Sequence, residues 1–193
     1  MSAALIVPTI HFDSWKLRPW MVTDAEALTQ ASSDPYIPSI TSVPKVWTRE
    51  SAERYIERQW ARAEEGVGYS FAIADGEDAA VGSIGLWIRD ADLGRASIGY
   101  WIVESSRGAG LGTAALKTLA GWAFSVCKIP RIELYVEPWN VASLRTARAS
   151  GFKEEGLMRS WQEVDSVRRD MLMYSRIAPP VLTDDRSKGL SNG

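Results

Sequence analysis

The chain has 193 residues, 46% of them hydrophobic and 24% charged, with a formal net charge of −2. That length suits one domain with its own core, and so even a charge balance argues against a general nucleic-acid binder, which carries a basic face. No apolar run reaches the roughly 18 residues of a membrane span, and the start, MSAALIVPTIHF, lacks the basic segment and apolar core of a secretory leader.

Cys127 is the only cysteine and His11 the only histidine. An internal disulfide is therefore excluded, which fits a reducing cytoplasm. Histidine-based metal sites and a Ser-His-Asp triad are excluded as well.

In chain order, residues 1–12 read as an irregular lead-in. WKLRPW (15–20) can start a strand, stopped by Pro19. Thr23 and Asp24 offer N-caps for a helix over AEALTQAS, which the Asp34-Pro35 dipeptide ends. YIPSITSVPK (36–45), with two prolines and several hydroxyls, predicts a loop. Thr48 caps a helix over about 49–65, with Ala52, Ile56, Trp60 and Ala63 on one face and a Glu50–Arg54 pair on another.

YSFAIAD (69–75), AAVGSIGLWIRD (79–90) and RASIGYWIV (95–103), joined by short polar turns, predict an antiparallel meander. A glycine-rich loop then leads into a helix of about 112–127 with Ala115, Leu119, Trp122 and Val126 as its buried stripe. RIELYVE (131–137) alternates as a half-exposed strand, Pro138 stops it, and Asn140 caps a short helix that closes at Ser150-Gly151-Phe152. LMRSWQEV and VRRDMLMYSRI make a final hairpin. From Pro179 the chain is polar and aperiodic. The expected organisation is one α/β domain over 1–178, with a disordered tail at 179–193.

The loop ESSRGAGLGT (104–113) carries the strongest chemical signal. A Walker loop ends in Gly-Lys-Ser/Thr, whereas this one ends in Gly112-Thr113. A dinucleotide fingerprint needs a third glycine where Thr113 stands, and needs the first strand of a parallel unit rather than the end of a meander. What is left is R-x-x-G-x-G, Arg107 to Gly112, where consecutive backbone N–H groups, a helix N-terminus and one arginine converge. That suits a pyrophosphate.

This loop between strand and helix, followed by a strand and an N-x-x-S helix (Asn140 to Ser143) ending in Gly151-Phe152, resembles the GNAT acetyltransferase family. IGYWIVESSRGAGLG and RIELYVEPWNVASLRTARASGF are similar to its RimJ/RimL branch, which acetylates protein N-termini. The resemblance spans about residues 13–177. It implies a single GNAT domain, α/β (α+β), with a mixed, mostly antiparallel sheet, helices on both faces and two splayed central strands. It implies acetyl-CoA as the acyl donor. The main chain of Trp101, Ile102 and Val103 would bond the pantetheine arm. The amides of Gly108, Ala109, Gly110, Leu111, Gly112 and Thr113 would hold the pyrophosphate, with charge added by Arg107 and a further cofactor contact from Asn140.

For catalysis the resemblance implies direct attack by a neutral amine in a ternary complex, with Ser143 as the general acid for the leaving thiolate. The branch's carboxylate base falls, counting from Phe152, on Gln162, whose amide cannot take a proton; Glu163 should face the other side of the strand. Glu104 and Glu137, at the ends of the two splayed strands, are the fallback bases. Trp47 and Trp161 are candidates for an aromatic acceptor groove, and the other tryptophans, with Cys127, are expected to be structural.

The expected acceptor is a peptide or protein α-amine. A small-molecule amine and a non-catalytic acyl-CoA-binding module are the alternatives, and a homodimer is compatible with the branch.

Overall fold

The computed structural model describes residues 4–180. Eight strands form one sheet: β1 (Ile10–Phe12), β2 (Trp15–Arg18), β3 (Gly68–Ala74), β4 (Ala80–Trp87), β5 (Arg95–Ile102), β6 (Arg131–Val136), β7 (Lys153–Val164) and β8 (Val167–Ile177). Their spatial order is β1-β2-β3-β4-β5-β6-β8-β7. Among the described residues β5 and β6 are the one parallel pair; every other neighbour is antiparallel. The helices are α1 (Ala27–Ser33), α2 (Ile37–Ile40), α3 (Arg49–Glu64), α4 (Leu111–Ser125) and α5 (Val141–Ala149). None is long and apolar enough to cross a membrane.

Strand alternation gives the sheet two unlike faces. Ile84 and Leu86 of β4, Ala96, Ile98 and Ile102 of β5 and Ile132 and Leu134 of β6 pack with Ala115, Leu116, Leu119, Ala120 and Ala123 of α4 in the main core. The alanines bring α4 close, and each large buried side chain contributes about 1.5–3 kcal/mol. On the opposite face β4 and β5 present Ser83, Gly85, Trp87, Ser97, Gly99 and Trp101. There Trp101 joins Tyr55 and Ile56 of α3 in a second, smaller core. The sheet is therefore filled on the α4 side and only partly covered on the α3 side, where serine and glycine leave space.

Four local expectations differ from what is found. The lead-in contains β1, paired with β2. Residues 36–45 contain a helical turn, α2, because the Asp34 carboxylate accepts from the Tyr36 and Ile37 N–H groups and Pro38 falls in the first turn, where a missing N–H costs nothing. Trp60 is half-exposed with its indole N–H on the Trp20 carbonyl at 2.8 Å, and the buried face of α3 runs through Ala52, Tyr55, Ile56, Gln59 and Ala63 instead. Val126 is 61% exposed, because α4 ends at Ser125 and Lys128 turns left-handed (φ 57°), which hands the core position to Ile129. The expected tail falls mostly outside the described residues.

Candidate active site

The parallel pair makes the site. β5 and β6 are in register for three pairs, Arg95–Arg131, Ala96–Ile132 and Ser97–Glu133, and then diverge. Val103 donates its N–H to Val81 O (2.9 Å), which commits the polar groups of Val103, and by alternation those of Trp101, to β4. The main-chain groups that face the opening are those of Ile98, Tyr100 and Ile102. Of the three residues expected to meet a cofactor arm, Ile102 is thus the one whose backbone looks into the gap.

Directly after β5 a 3-10 turn (Glu104–Ser106) leads through Arg107 to the glycine loop. Gly108 and Gly110 have φ of 89° and 78°, and a Cβ on either would point into open space. Among the described residues, no backbone group accepts from the amides of Gly108 to Thr113. Six successive N–H groups at the N-terminus of α4 form a ready anion cradle. Gly112 is small for another reason: a Cβ there would lie 3.1 Å from the Tyr100 ring and 3.3 Å from Thr146. Its lack of a side chain seats the first turn of α4 directly on β5 and α5.

Arg107 does not aim at this cradle. Its Nε donates to Ile102 O (2.9 Å) and Nη2 to Asp34 Oδ2 (2.6 Å). Burial opposes a charge on Asp34, but the Ile37 and Tyr36 amides and Arg107 outweigh it and hold the carboxyl below its ordinary range. Arg107 thus ties the end of β5 to the start of α2, and the cradle is built from backbone.

On the other side of the gap, Asn140 accepts from the Ser143 N–H (3.1 Å) and caps α5. The Ser143 hydroxyl has no partner among the described residues. Both residues line a cavity of about 400 Å³ that passes between β5 and β6 and opens over the α3 face of the sheet. Ser83, Gly85, Ser97 and Gly99 form its floor, and Trp87 lies across the two glycines, its ring 2.9 Å from where a Gly85 Cβ would be. Tyr36, Tyr55, Tyr100, Trp101 and Tyr135 supply the walls, with Arg62 of α3 and Gln162 of β7 at the sides.

No Asp, Glu or His is among the described residues lining this cavity. Gln162 faces it, while Glu163 is exposed and pairs in register with Arg168 on the hairpin. Glu104 is exposed on the 3-10 turn and does not line the cavity. Glu137 is buried and accepts from the Tyr36 hydroxyl (2.7 Å), bordering a smaller adjacent depression. Tyr135 donates to Glu133 (2.7 Å); burial and that bond push its phenol up to about 12. Trp161 stacks on Tyr135 at 5.5 Å from outside, and Trp47 is held by a bond to the Ala25 carbonyl (3.2 Å). The aromatic lining is therefore real but is built from other residues than those two, with Trp161 acting through Tyr135. Cys127 is half-buried beside Tyr69, and burial raises its thiol pKa.

Tyr135, Trp87 and Arg62 are site residues that sequence reading missed. Tyr135 was within reach, being an outward position of an alternating strand between two motif segments. Arg62 and Trp87 carry no local signal.

A sheet opened between two parallel strands, with a backbone anion cradle at the end of one and a capped helix at the end of the other, is the frame of an acyl-CoA-dependent acetyltransferase. The acetyltransferase (GNAT) domain family matches residues 15–153, and the chain belongs to that family. It is 31% identical over 170 residues to the protein named "Probable N-acetyltransferase YjcK" of Bacillus subtilis (strain 168), covering 84% of this chain and 93% of that one. It is 29% identical over 168 residues to the Bacillus licheniformis protein named "Uncharacterized N-acetyltransferase p20", covering 86% and 94%. The structure of Mycobacterium smegmatis RimJ in complex with CoA-disulfide superposes with a TM-score of 0.77 at 28% identity, covering 89% of this chain and 87% of that one.

Proposed function

We propose that the protein acetylates the neutral α-amine of a peptide or protein N-terminus, using acetyl-CoA. The observation that carries the reading is the opening between β5 and β6, which joins the backbone cradle at Gly108–Thr113 to a cavity holding Ser143 and Gln162. The likeness to RimJ, whose structure holds a CoA-disulfide, supports the cofactor.

The residues present fit acetyl-CoA: the glycine cradle offers six unspent N–H groups and room above them, and the exposed edge of β5 offers backbone groups to an extended arm. Bound there, acetyl-CoA supplies an activated acyl group and a thiolate leaving group. Ile102 and Tyr100 present main-chain groups where the arm would lie, so a backbone N–H at this edge is available to stabilise an oxyanion. Ser143, whose N–H is fixed by Asn140 and whose hydroxyl has no partner among the described residues, would return a proton to the leaving sulfur. The acceptor enters from the α3 face, where the glycine and serine floor leaves the space. With no carboxylate among the described residues of the lining, the amine arrives deprotonated and the cavity contributes orientation and exclusion of water.

The test is release of free CoA across matched panels of peptides and small amines. Turnover with peptides bearing a free α-amine and none with their blocked forms is the expected result. Turnover confined to small amines moves the acceptor assignment to that class, and acetyl-CoA binding without turnover of any amine overturns the enzymatic reading.

A further inference from the structure

Most arginines that reach the interior or fasten elements together are paired with a carboxylate: Arg18 with Asp24, Arg107 with Asp34, Arg131 with Glu133 and Glu155, Arg148 with Glu154. Arg62, which lines the cavity, is not. Its Nη1 donates to Gln59 Oε1 (2.7 Å), its Nη2 reaches Ser42 Oγ at 3.5 Å, and its guanidinium lies over the Trp87 ring at 5.4 Å. Gln59 is 1% exposed and locked in place, donating to Tyr55 O (2.8 Å) and accepting from Ser70 Oγ (2.9 Å). The group that orients Arg62 is thus a neutral amide held by its own helix through Tyr55 and by β3 through Ser70. Arg58 and Arg89, whose charges bear on Arg62, form no ion pair among the described residues either, and burial lowers the pKa of the Arg62 guanidinium.

A fixed cation in a partly desolvated cavity without a counter-charge is stabilised by an anion that enters with a ligand. Arg62 of α3 lies toward β3 and β4, whereas Ser143 opens α5, which packs with α4 on the other face of the sheet, so the two stand at opposite ends of the cavity. From β3 and β4 to the opening between β5 and β6 is about two strand spacings, about 10 Å, and an extended chain covers that in about three residues. We infer that the acceptor carries an anionic group, a carboxylate or a phosphate, on its second or third residue, and that Arg62 pairs with it. This rests on the acetyl-transfer reading of the same cavity and adds a charge preference to it. Trp87 and Gln59 act as positioning residues: one supports the face of the guanidinium and the other fixes its edge.

The experiment compares kcat/KM for tripeptide amides that differ only at position two or three, Asp against Asn and phosphoserine against Ser, in the wild type, Arg62→Gln and Gln59→Glu. The expected wild-type preference for the anionic member of a pair is roughly ten- to thirty-fold, the size of one charge-assisted hydrogen bond. Arg62→Gln brings the ratio close to one. Gln59→Glu, which places a carboxylate against the guanidinium without removing it, lowers the ratio in the same direction. A larger gain with phosphoserine than with Asp identifies phosphate as the partner, and the reverse identifies carboxylate. A wild-type ratio near one, or a ratio that survives Arg62→Gln, overturns the inference while leaving acetyl transfer intact. If no peptide is acetylated, the proposed function fails by itself. Calorimetric titration of glutarate and of inorganic phosphate into the CoA-saturated wild type and Arg62→Gln then decides the charge site: binding lost in the variant supports it, and no binding in the wild type overturns it.

Discussion

An acceptor that must arrive deprotonated imposes its own pKa on the rate. The described lining of the cavity offers two amides (Asn140 and Gln162), serine and threonine hydroxyls including that of Ser143, four phenols and one guanidinium as polar side-chain groups. The phenols are donors, not bases, at neutral pH: burial and the Glu133 bond push Tyr135 up to about 12, and burial with the Glu137 bond moves Tyr36 in the same direction. A raised phenol pKa keeps the proton on throughout the working range, so neither group titrates there. The perturbation is therefore best made in the acceptor. With ordinary pKa values of about 7.8 for an α-amine and about 10.4 for lysine, deprotonation differs by about 3.5 kcal/mol. At pH about 7.5, roughly a third of the α-amine and roughly a thousandth of the lysine is neutral, a few-hundred-fold difference in reactive species.

The assay is CoA release between about pH 5.5 and 9.5, with a free-α-amine peptide set against the same peptide blocked at its N-terminus and carrying one lysine. We expect kcat/KM to rise with pH along a single limb and level off at the acceptor's pKa, to move when the N-terminal residue is changed, and to favour the α-amine by about two orders of magnitude. Gln162→Glu should extend activity to lower pH by installing a base in the lining. A wild-type inflection near pH 6 that stays put when the acceptor is changed would falsify the argument, and Glu104, Glu137 and Glu163 would then be replaced singly to find its origin.

Gly110→Asp should abolish calorimetric binding of acetyl-CoA, because a carboxylate would enter the amide cradle, while its left-handed φ of 78° costs the fold only about 1–2 kcal/mol; wild-type affinity in that variant would remove the cradle assignment. Ser143→Ala should lower kcat by roughly ten- to a thousand-fold with little change in the KM for acetyl-CoA, and an unchanged single-turnover rate would leave the residue only its place in the first turn of α5. Gly112→Ala should weaken acetyl-CoA several-fold more than it shifts the melting temperature, since its Cβ, 3.1 Å from Tyr100, displaces the cradle from the strand edge; equal affinity would mean that the contact has slack.

What the sequence discloses and what it hides divide along the range of the contacts. The cradle, the Thr48 and Asn140 caps and the meander turns are local, and each is encoded by residue types with one dominant backbone use, as Asn140 bonding the amide three residues on illustrates. The expected direction of Gln162 is harder. β7 carries a register shift between Met158 and Gln162, with Ser160 left-handed at φ 48° and its N–H on Asp170. Such a bulge re-aims every later side chain of the strand, and nothing in RSWQEV announces it. Arg62 illustrates the opposite limit. An arginine near the end of an amphipathic helix reads as solvated surface, and its role comes from Gln59, Ser70 and Trp87, which meet it only after α3, β3 and β4 have packed.

The divergence of β5 from β6 creates an energetic problem that itself points toward a ligand. Pairing stops after Ser97–Glu133, although β5 runs on to Ile102 and β6 to Val136. Past the Ser97–Glu133 pair, the C=O of Ile98 and the N–H and C=O groups of Tyr100 and Ile102 on that side lack a strand partner among the described residues, apart from the Ile102 carbonyl that Arg107 claims. Buried main-chain groups left unpaired cost about 1–3 kcal/mol each, so the edge stays wet or takes up another extended chain. Closing the gap would satisfy those groups, yet the two ends are held apart. Arg107 anchors the end of β5 to Asp34, and Tyr36 of the same segment bonds Glu137 at the end of β6. The segment from Asp34 to Ile40 thus works as a spacer between the two strand ends, and it does so with side chains that a sequence reading takes for a phosphate ligand and a base. Arg107 and Glu137 thus brace the two strand ends apart, and the backbone of β5 and the N-terminus of α4 stay open beside them.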